Sequence, residues 1–160
     1  MKKEQTSAIL DTSFFIRLLN NEDALCQRAR DFLRYMLEQN YVLKISTIAM
    51  AEFCVRAKLE ELPLRCLQIL PFTDEHVSKA AEYARVVFDG RKAADDIRRI
   101  VIPNDTKMFA QAEVDRATYY ITADSESLVV YGILTDSAMT HFKVVDIRSQ
   151  DYLSAFGVLC

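Results

Sequence analysis

Short apolar runs, two of them closing on or just before an acid, alternate in this chain with longer stretches of helical spacing. That alternation is what most constrains the fold. Ser7-Ala-Ile-Leu-Asp11 is the first run, and Tyr41-Val-Leu-Lys-Ile45 leads into Ser46-Thr47. Tyr119-Tyr-Ile-Thr122 is followed closely by Asp124, and Phe142-Lys-Val-Val-Asp-Ile147 is rich in β-branched residues. Periodicity alone does not separate such short runs from helix, so their flanks arbitrate in favour of buried strands. Between them, Phe14 to Leu19 opens a helix. Ala24 to Gln39 repeats Leu25, Ala29, Phe32, Leu33 and Met36 at helical spacing. Thr47 to Leu59 follows, with Ser46 or Thr47 able to cap it. Pro63 to Ile69 reads as a short helical piece. Asp74 to Val87 carries Val77, Ala80, Ala81, Ala84 and Val87 on one side, and Asp105 to Thr118 is the clearest helix of all. Strands alternating with helices predict an α/β fold with a mainly parallel sheet covered on both faces. Ligands of such folds bind outside the carboxyl ends of the strands, which gives the acids there their meaning.

At 160 residues the chain suits a single domain, 1–160, and 3 Gly and 3 Pro leave little room for linkers. The net charge of −3 counts against tight stand-alone nucleic-acid binding, for which a basic excess supplies the affinity. It does not exclude catalysis on nucleic acid, because metal-binding carboxylates themselves make a site negative. Cys26, Cys54, Cys66 and Cys160 show no paired spacing and no nearby histidine, so a structural zinc site is not expected. Cys54 and Cys66 read as buried free thiols, a usage that suits a reducing cytoplasm. Met1-Lys2-Lys3 imitates the start of a signal peptide, but Asp11 and Arg17 interrupt the apolar stretch behind it. Neither secretion nor membrane spanning is expected.

Asp11 closes the first strand, and a charge directly after apolar strand residues is costly unless it is paired or solvated. A lone case could simply cap the next helix. Asp124 repeats the arrangement, and Asp105 follows Ile100-Val101-Ile102 and opens a helix that it could cap. Glu52 differs, lying inside Ile48-Ala-Met-Ala-Glu-Phe-Cys-Val, where a carboxylate wants an arginine or a metal. Together the four acids suit hard divalent cations, Mg²⁺ or Mn²⁺, which favour carboxylate oxygens and keep several waters. Two such ions about 4 Å apart activate a water and stabilise the leaving oxygen of a phosphodiester. That chemistry needs no histidine, and neither His76 nor His141 sits in a nucleophile motif.

The blocks Ala-Ile-Leu-Asp11-Thr-Ser, Ile45-Ser-Thr-Ile-Ala-Met-Ala-Glu52-Phe, Ile102-Pro-Asn-Asp105-Thr-Lys-Met-Phe-Ala-Gln-Ala112 and Tyr120-Ile-Thr-Ala-Asp124 occur in that order. In order and rough spacing the chain resembles the PIN-domain family over nearly its whole length. The resemblance implies a three-layer α/β/α sandwich and Mg²⁺- or Mn²⁺-dependent endoribonuclease activity. Asp11, Glu52, Asp105 and Asp124 would form the metal site, assisted by Thr12, Ser13 or Thr122. Many small members resemble the toxin of VapBC-type toxin–antitoxin pairs. The implied partners are thus an RNA substrate, a small antitoxin and a second copy of the chain in a homodimer. Arg91, Lys92, Arg98 and Arg99 read either as RNA-backbone contacts beside the metal or as a solvated loop paired with Asp95 and Asp96. The stretch from Leu128 to His141 is extended for a compact member of the family. Two other functions compete. One is a PIN-like adaptor or binding domain with weak or no catalysis. The other is a phosphotransfer receiver, for which Glu4 ahead of the first strand makes a poor acidic pair.

Overall fold

Ala8, Ile9 and Leu10 are wholly buried because β1 (Ser7–Leu10) is the middle strand of a five-stranded, all-parallel sheet. The computed structural model from which this follows describes residues 4–90, 102–137 and 139–157. Arg91, Lys92, Arg98 and Arg99, with Asp95 and Asp96, lie outside the described residues, as does Cys160. From β1 the chain passes through α1 (Thr12–Leu19) and α2 (Cys26–Glu38) to β2 (Val42–Ser46), then through α3 (Thr47–Cys54) to β3 (Gln68–Leu70). It then crosses back through α4 (Asp74–Gly90) and α5 (Asn104–Val114) to β4 (Tyr119–Thr122) on the other side of β1. From there α6 (Ser125–Asp136) leads to β5 (Lys143–Asp146) and α7 (Tyr152–Phe156). The strand order is β3-β2-β1-β4-β5, with Ser7 beside Val42, Ala8 beside Tyr119 and Thr122 beside Asp146.

The helices sort into two sets. α1 packs on α2 and α3, and α2 on α7, while α4 packs on α5 and α6. Parallel crossovers are right-handed, so reversing the winding direction at β1 sends the two sets to opposite faces of the sheet. The outcome is the doubly wound, three-layer arrangement expected above. A strand buried on both faces reads as a continuous apolar run, which is why β1 and β4 were conspicuous.

Local chemistry sets the joints. Asp11 caps α1 by accepting from Phe14 N, and Ser46 caps α3 by accepting from Ile48 N. α2 and α5 both end on a residue in the left-handed region, Asn40 (φ 56°) and Arg116 (φ 52°). Each end is closed by a bond five residues back, Tyr41 N to Met36 O at 2.9 Å and Ala117 N to Ala112 O at 2.8 Å. Those two stops feed β2 and β4, the strands that flank β1. α5 therefore ends at Val114, short of the expected Thr118, so that the chain can turn into β4.

Several expectations need correction. Pro63 to Ile69 is not a helix: a 3₁₀ turn at Leu64–Cys66 runs into the edge strand β3. α3 stops at Cys54, where its bonds shorten to Val55 N–Glu52 O and Arg56 N–Phe53 O. Cys54 is exposed at that end and Cys66 is half-exposed, so of these thiols only Cys26 is buried. On α4 the inward face carries His76, Ala80, Tyr83, Ala84 and Val87, and Val77 points outward. The extended stretch after Leu128 is mostly helix α6.

Tyr83 crosses from α4 to donate its hydroxyl to Met139 O at 2.7 Å, and burial pushes that phenol far above its usual range. Replacing Tyr83 with Phe keeps the ring and strands the carbonyl. A loss of about 1 kcal/mol in urea unfolding is expected, and an unchanged midpoint would refute the role of this bond. Aromatic packing anchors α7. Phe156 stacks on Tyr35 at 5.4 Å and meets Tyr41 and Tyr119 edge-on, so these tyrosines pack α7 against the rest of the domain.

Candidate active site

In an open doubly wound sheet the crevice forms where the winding reverses, here between the carboxyl ends of β1 and β4. Asp11 sits in that crevice. Its N–H continues the ladder to Ile121 O at 3.1 Å, and its side chain is buried. Three donors hold the carboxylate: Ser13 Oγ on Oδ1 at 2.5 Å, Phe14 N on Oδ1 at 3.1 Å and Thr122 Oγ1 on Oδ2 at 2.6 Å. Ser13 Oγ in turn accepts from Ala123 N at 2.8 Å, so the turn after β1 is sewn to the end of β4. Ser13 and Thr122, expected to assist at the substrate, spend their hydroxyls on Asp11.

The other acids approach from separate elements. Glu52, half-buried on α3, accepts from Thr12 Oγ1 at 3.2 Å, which sets it against the first residue of α1. Asp124 follows β4 and caps α6 by accepting from Glu126 N at 3.1 Å, and its own N–H donates to Thr122 Oγ1 at 3.1 Å. Asp105 lies in the first turn of α5, while Pro103 takes the cap position. It is therefore neither the cap nor the end of a described strand. Its charge still reaches Asp11. Burial raises the Asp11 carboxyl to about 6, the bonds from Ser13, Thr122 and Phe14 N oppose that rise, and the negative charge of Asp105 adds to it. The buried Tyr120 phenol is likewise pushed well above its usual value, first by burial and then by Asp11, Asp105, Glu52 and Asp124 together. One side chain feels all four acids.

This donor set is made of carboxylate and hydroxyl oxygens, the chemistry of a hard divalent cation. Among the described residues no three acids, histidines or cysteines close into a ready-made cage. The buried, crowded Asp11 carboxylate is the position where a cation would relieve the most unfavourable charge.

Two polar pairs escaped the sequence reading. Ser46 Oγ donates to Gln111 Oε1 at 2.6 Å, and Gln111 Nε2 donates to Leu70 O at 3.2 Å, joining β2, β3 and α5 in the core. No local pattern announces such a contact. Asp146, at the end of β5, takes a fork of bonds from Arg148. Burial works against its charge, yet the Arg148 guanidinium and N–H hold the carboxyl below its ordinary value. An acid inside Val-Val-Asp-Ile, repeating the pattern of Asp11, was the available signal.

A doubly wound α/β domain with the buried Asp11 carboxylate at its winding reversal is the class that fold and site define. The family model of the PIN domain matches residues 8–132, and the chain belongs to that family. Among solved structures it is similar to VapBC2 from Rickettsia felis bound to a promoter DNA fragment, with 14% identity, 88% of this chain and 98% of that chain covered, and a TM-score of 0.59. VapBC from Salmonella typhimurium, bound to DNA, gives 16%, 89%, 99% and 0.57. VapC20 from Mycobacterium tuberculosis, a toxin that cleaves the sarcin–ricin loop, gives 18%, 76%, 93% and 0.54. At these identities the likeness is one of fold. No curated protein sequence matches the chain. Among the described residues no helix is long and apolar enough to cross a membrane.

Proposed function

We propose that the protein is a divalent-metal-dependent endoribonuclease, the toxin of a toxin–antitoxin pair, that works through Asp11, Glu52, Asp105 and Asp124. The observation that carries this reading is the hydrogen bonding at the ends of β1 and β4: Thr122 Oγ1 donates to Asp11 and accepts from the N–H of Asp124, and Glu52 accepts from Thr12, the neighbour of Asp11. Membership of the PIN domain family and the fold shared with an RNA-cleaving toxin support it. When bound, Mg²⁺ or Mn²⁺ supplies an activated water and charge relief at the phosphodiester. Asp11, fixed by three donors, is the oriented ligand of the set, while Asp105 adds charge beside it. Ser13 and Thr122 hold Asp11, and Thr12 holds Glu52. A small antitoxin and a second copy of the chain are the partners this reading assigns.

The test is cleavage of a mixed RNA pool by the purified protein. Cleavage is expected with Mn²⁺ or Mg²⁺ and none with a chelator, and Glu52→Gln is expected to lower the rate about tenfold, the scale of loss for a weakly held ligand. No cleavage by the wild type under any divalent ion would refute the nuclease and favour a PIN-like binding domain.

A further inference from the structure

Beyond the acids, a well-held cation, Arg148, stands at the same edge of the sheet. Asp146 lies beside Thr122 in register, and Ile147 N donates to Thr122 O at 3.0 Å. Asp124 is two residues past Thr122, and Arg148 is two residues past Asp146. The two charged residues thus follow the ends of neighbouring strands by the same two positions.

Arg148 is held unusually well for a surface arginine. Its Nε and Nη2 meet Asp146 Oδ1 and Oδ2, each at 3.0 Å, and its backbone N–H adds a third bond to Oδ1 at 3.0 Å. Behind it, Arg28 of α2 donates to the carbonyls of Ile147 and Arg148 at 3.1 and 3.0 Å. The ion pair is lopsided: the Asp146 side chain is 9% exposed and that of Arg148 is 35% exposed. The anion is sunk behind and the cation faces out. The fork uses only the Nε/Nη2 edge, and among the described residues the Nη1 edge has no partner. An arginine with one edge anchored and the other free matches the geometry of a phosphate oxygen pair and is already ordered before binding.

We propose that Arg148 is a substrate-positioning residue whose outer guanidinium edge takes a backbone phosphate of the RNA on the β5 side of the acid cluster. This rests on the nuclease reading. It answers a difficulty in that reading, because a chain of net charge −3 with acids massed at its crevice needs a fixed cation there to receive a polyanion. The field of Asp124 also favours the charged guanidinium, after the bond to Asp146 itself.

The test is equilibrium binding of a fluorescent single-stranded RNA in the Asp11→Asn background, which spares the RNA, across a range of salt. Arg148→Ala is expected to weaken binding roughly five- to tenfold at about 0.1 M salt and to flatten the log–log salt slope by about 0.7, the value for one lost phosphate contact on a single strand. Arg148→Lys should keep the slope and recover only part of the affinity. An unchanged affinity and slope would overturn the proposal. So would weaker binding with an unchanged slope and a lower melting temperature, which marks a purely structural ion pair, or no RNA binding by the parent. In the cleavage assay Arg148→Ala should raise KM and leave kcat. Cleavage with an unaltered KM would remove Arg148 and leave the nuclease standing. Arg148-dependent binding by a wild type that never cleaves would do the reverse.

Discussion

Asp11→Asn is expected to lower metal-dependent RNA cleavage about a hundredfold or more while making the metal-free protein harder to melt at neutral pH. The two effects share one cause. Burial raises the Asp11 carboxyl from 3.8 to about 6 in the folded chain. Between those values the folded state holds a proton that the unfolded state has released. The stability contributed by this carboxyl is therefore fully present below about pH 4, declines as pH rises through about 6, and is lost above it. At pH 7 the ionised carboxylate costs the fold about 3 kcal/mol, taking 1.36 kcal/mol per pH unit. Asparagine keeps an acceptor for Ser13 and Phe14 N and carries no charge. In chelator, its melting temperature at pH 7 should exceed that of the wild type by roughly 6–12 °C, with the two converging near pH 4. Adding Mn²⁺ at pH 7.5 should raise the wild type and leave the variant nearly unmoved. Identical melting profiles from pH 4 to 8 would dispose of the buried-charge argument.

Gln111→Leu is the second large effect, and it falls on stability. Gln111 is wholly buried on α5, accepting from Ser46 and donating to Leu70 O. Leucine has similar bulk but strands both partners, a hydroxyl at the end of β2 and a carbonyl at the end of β3. Leaving two buried polar groups unmet costs about 2–4 kcal/mol. The urea midpoint should fall with an unchanged m-value, and a loss below about 1 kcal/mol would show that both partners find water. Ser46→Ala added to Gln111→Leu should cost less than the sum of the single changes, because the hydroxyl it deletes is one of the stranded groups.

How far the chain could be read beforehand follows from how each part is built. β1 and β4 were legible because burial on both faces leaves mainly apolar residues, and Asp11 and Asp124 were legible as acids closing such runs, where each also caps the helix that follows. β3 was not. It is a three-residue edge strand, largely exposed and paired only to β2, so neither alternation nor an apolar run marks it. On α4 the small and β-branched residues suggested the inward face, yet His76 and Tyr83 occupy it, because each finds a polar partner inside: His76 Nδ1 accepts from Thr73 N, and Tyr83 reaches Met139. Asp105 had the composition of a cap, and only the placement of Pro103 moved it into the first turn. Ser46 and Gln111, 65 residues apart, leave no trace in any window of sequence.

The bond between Thr122 and Asp11 spans 111 residues. β1 is an inner strand whose two neighbours, β2 and β4, both come later in the chain. A nascent chain emerging from a ribosome thus carries Asp11 long before anything exists to orient it. On this architecture Asp11 gains its Thr122 donor only once residues around 122 have left the exit tunnel, so the first half of a nascent chain cannot fix that carboxylate.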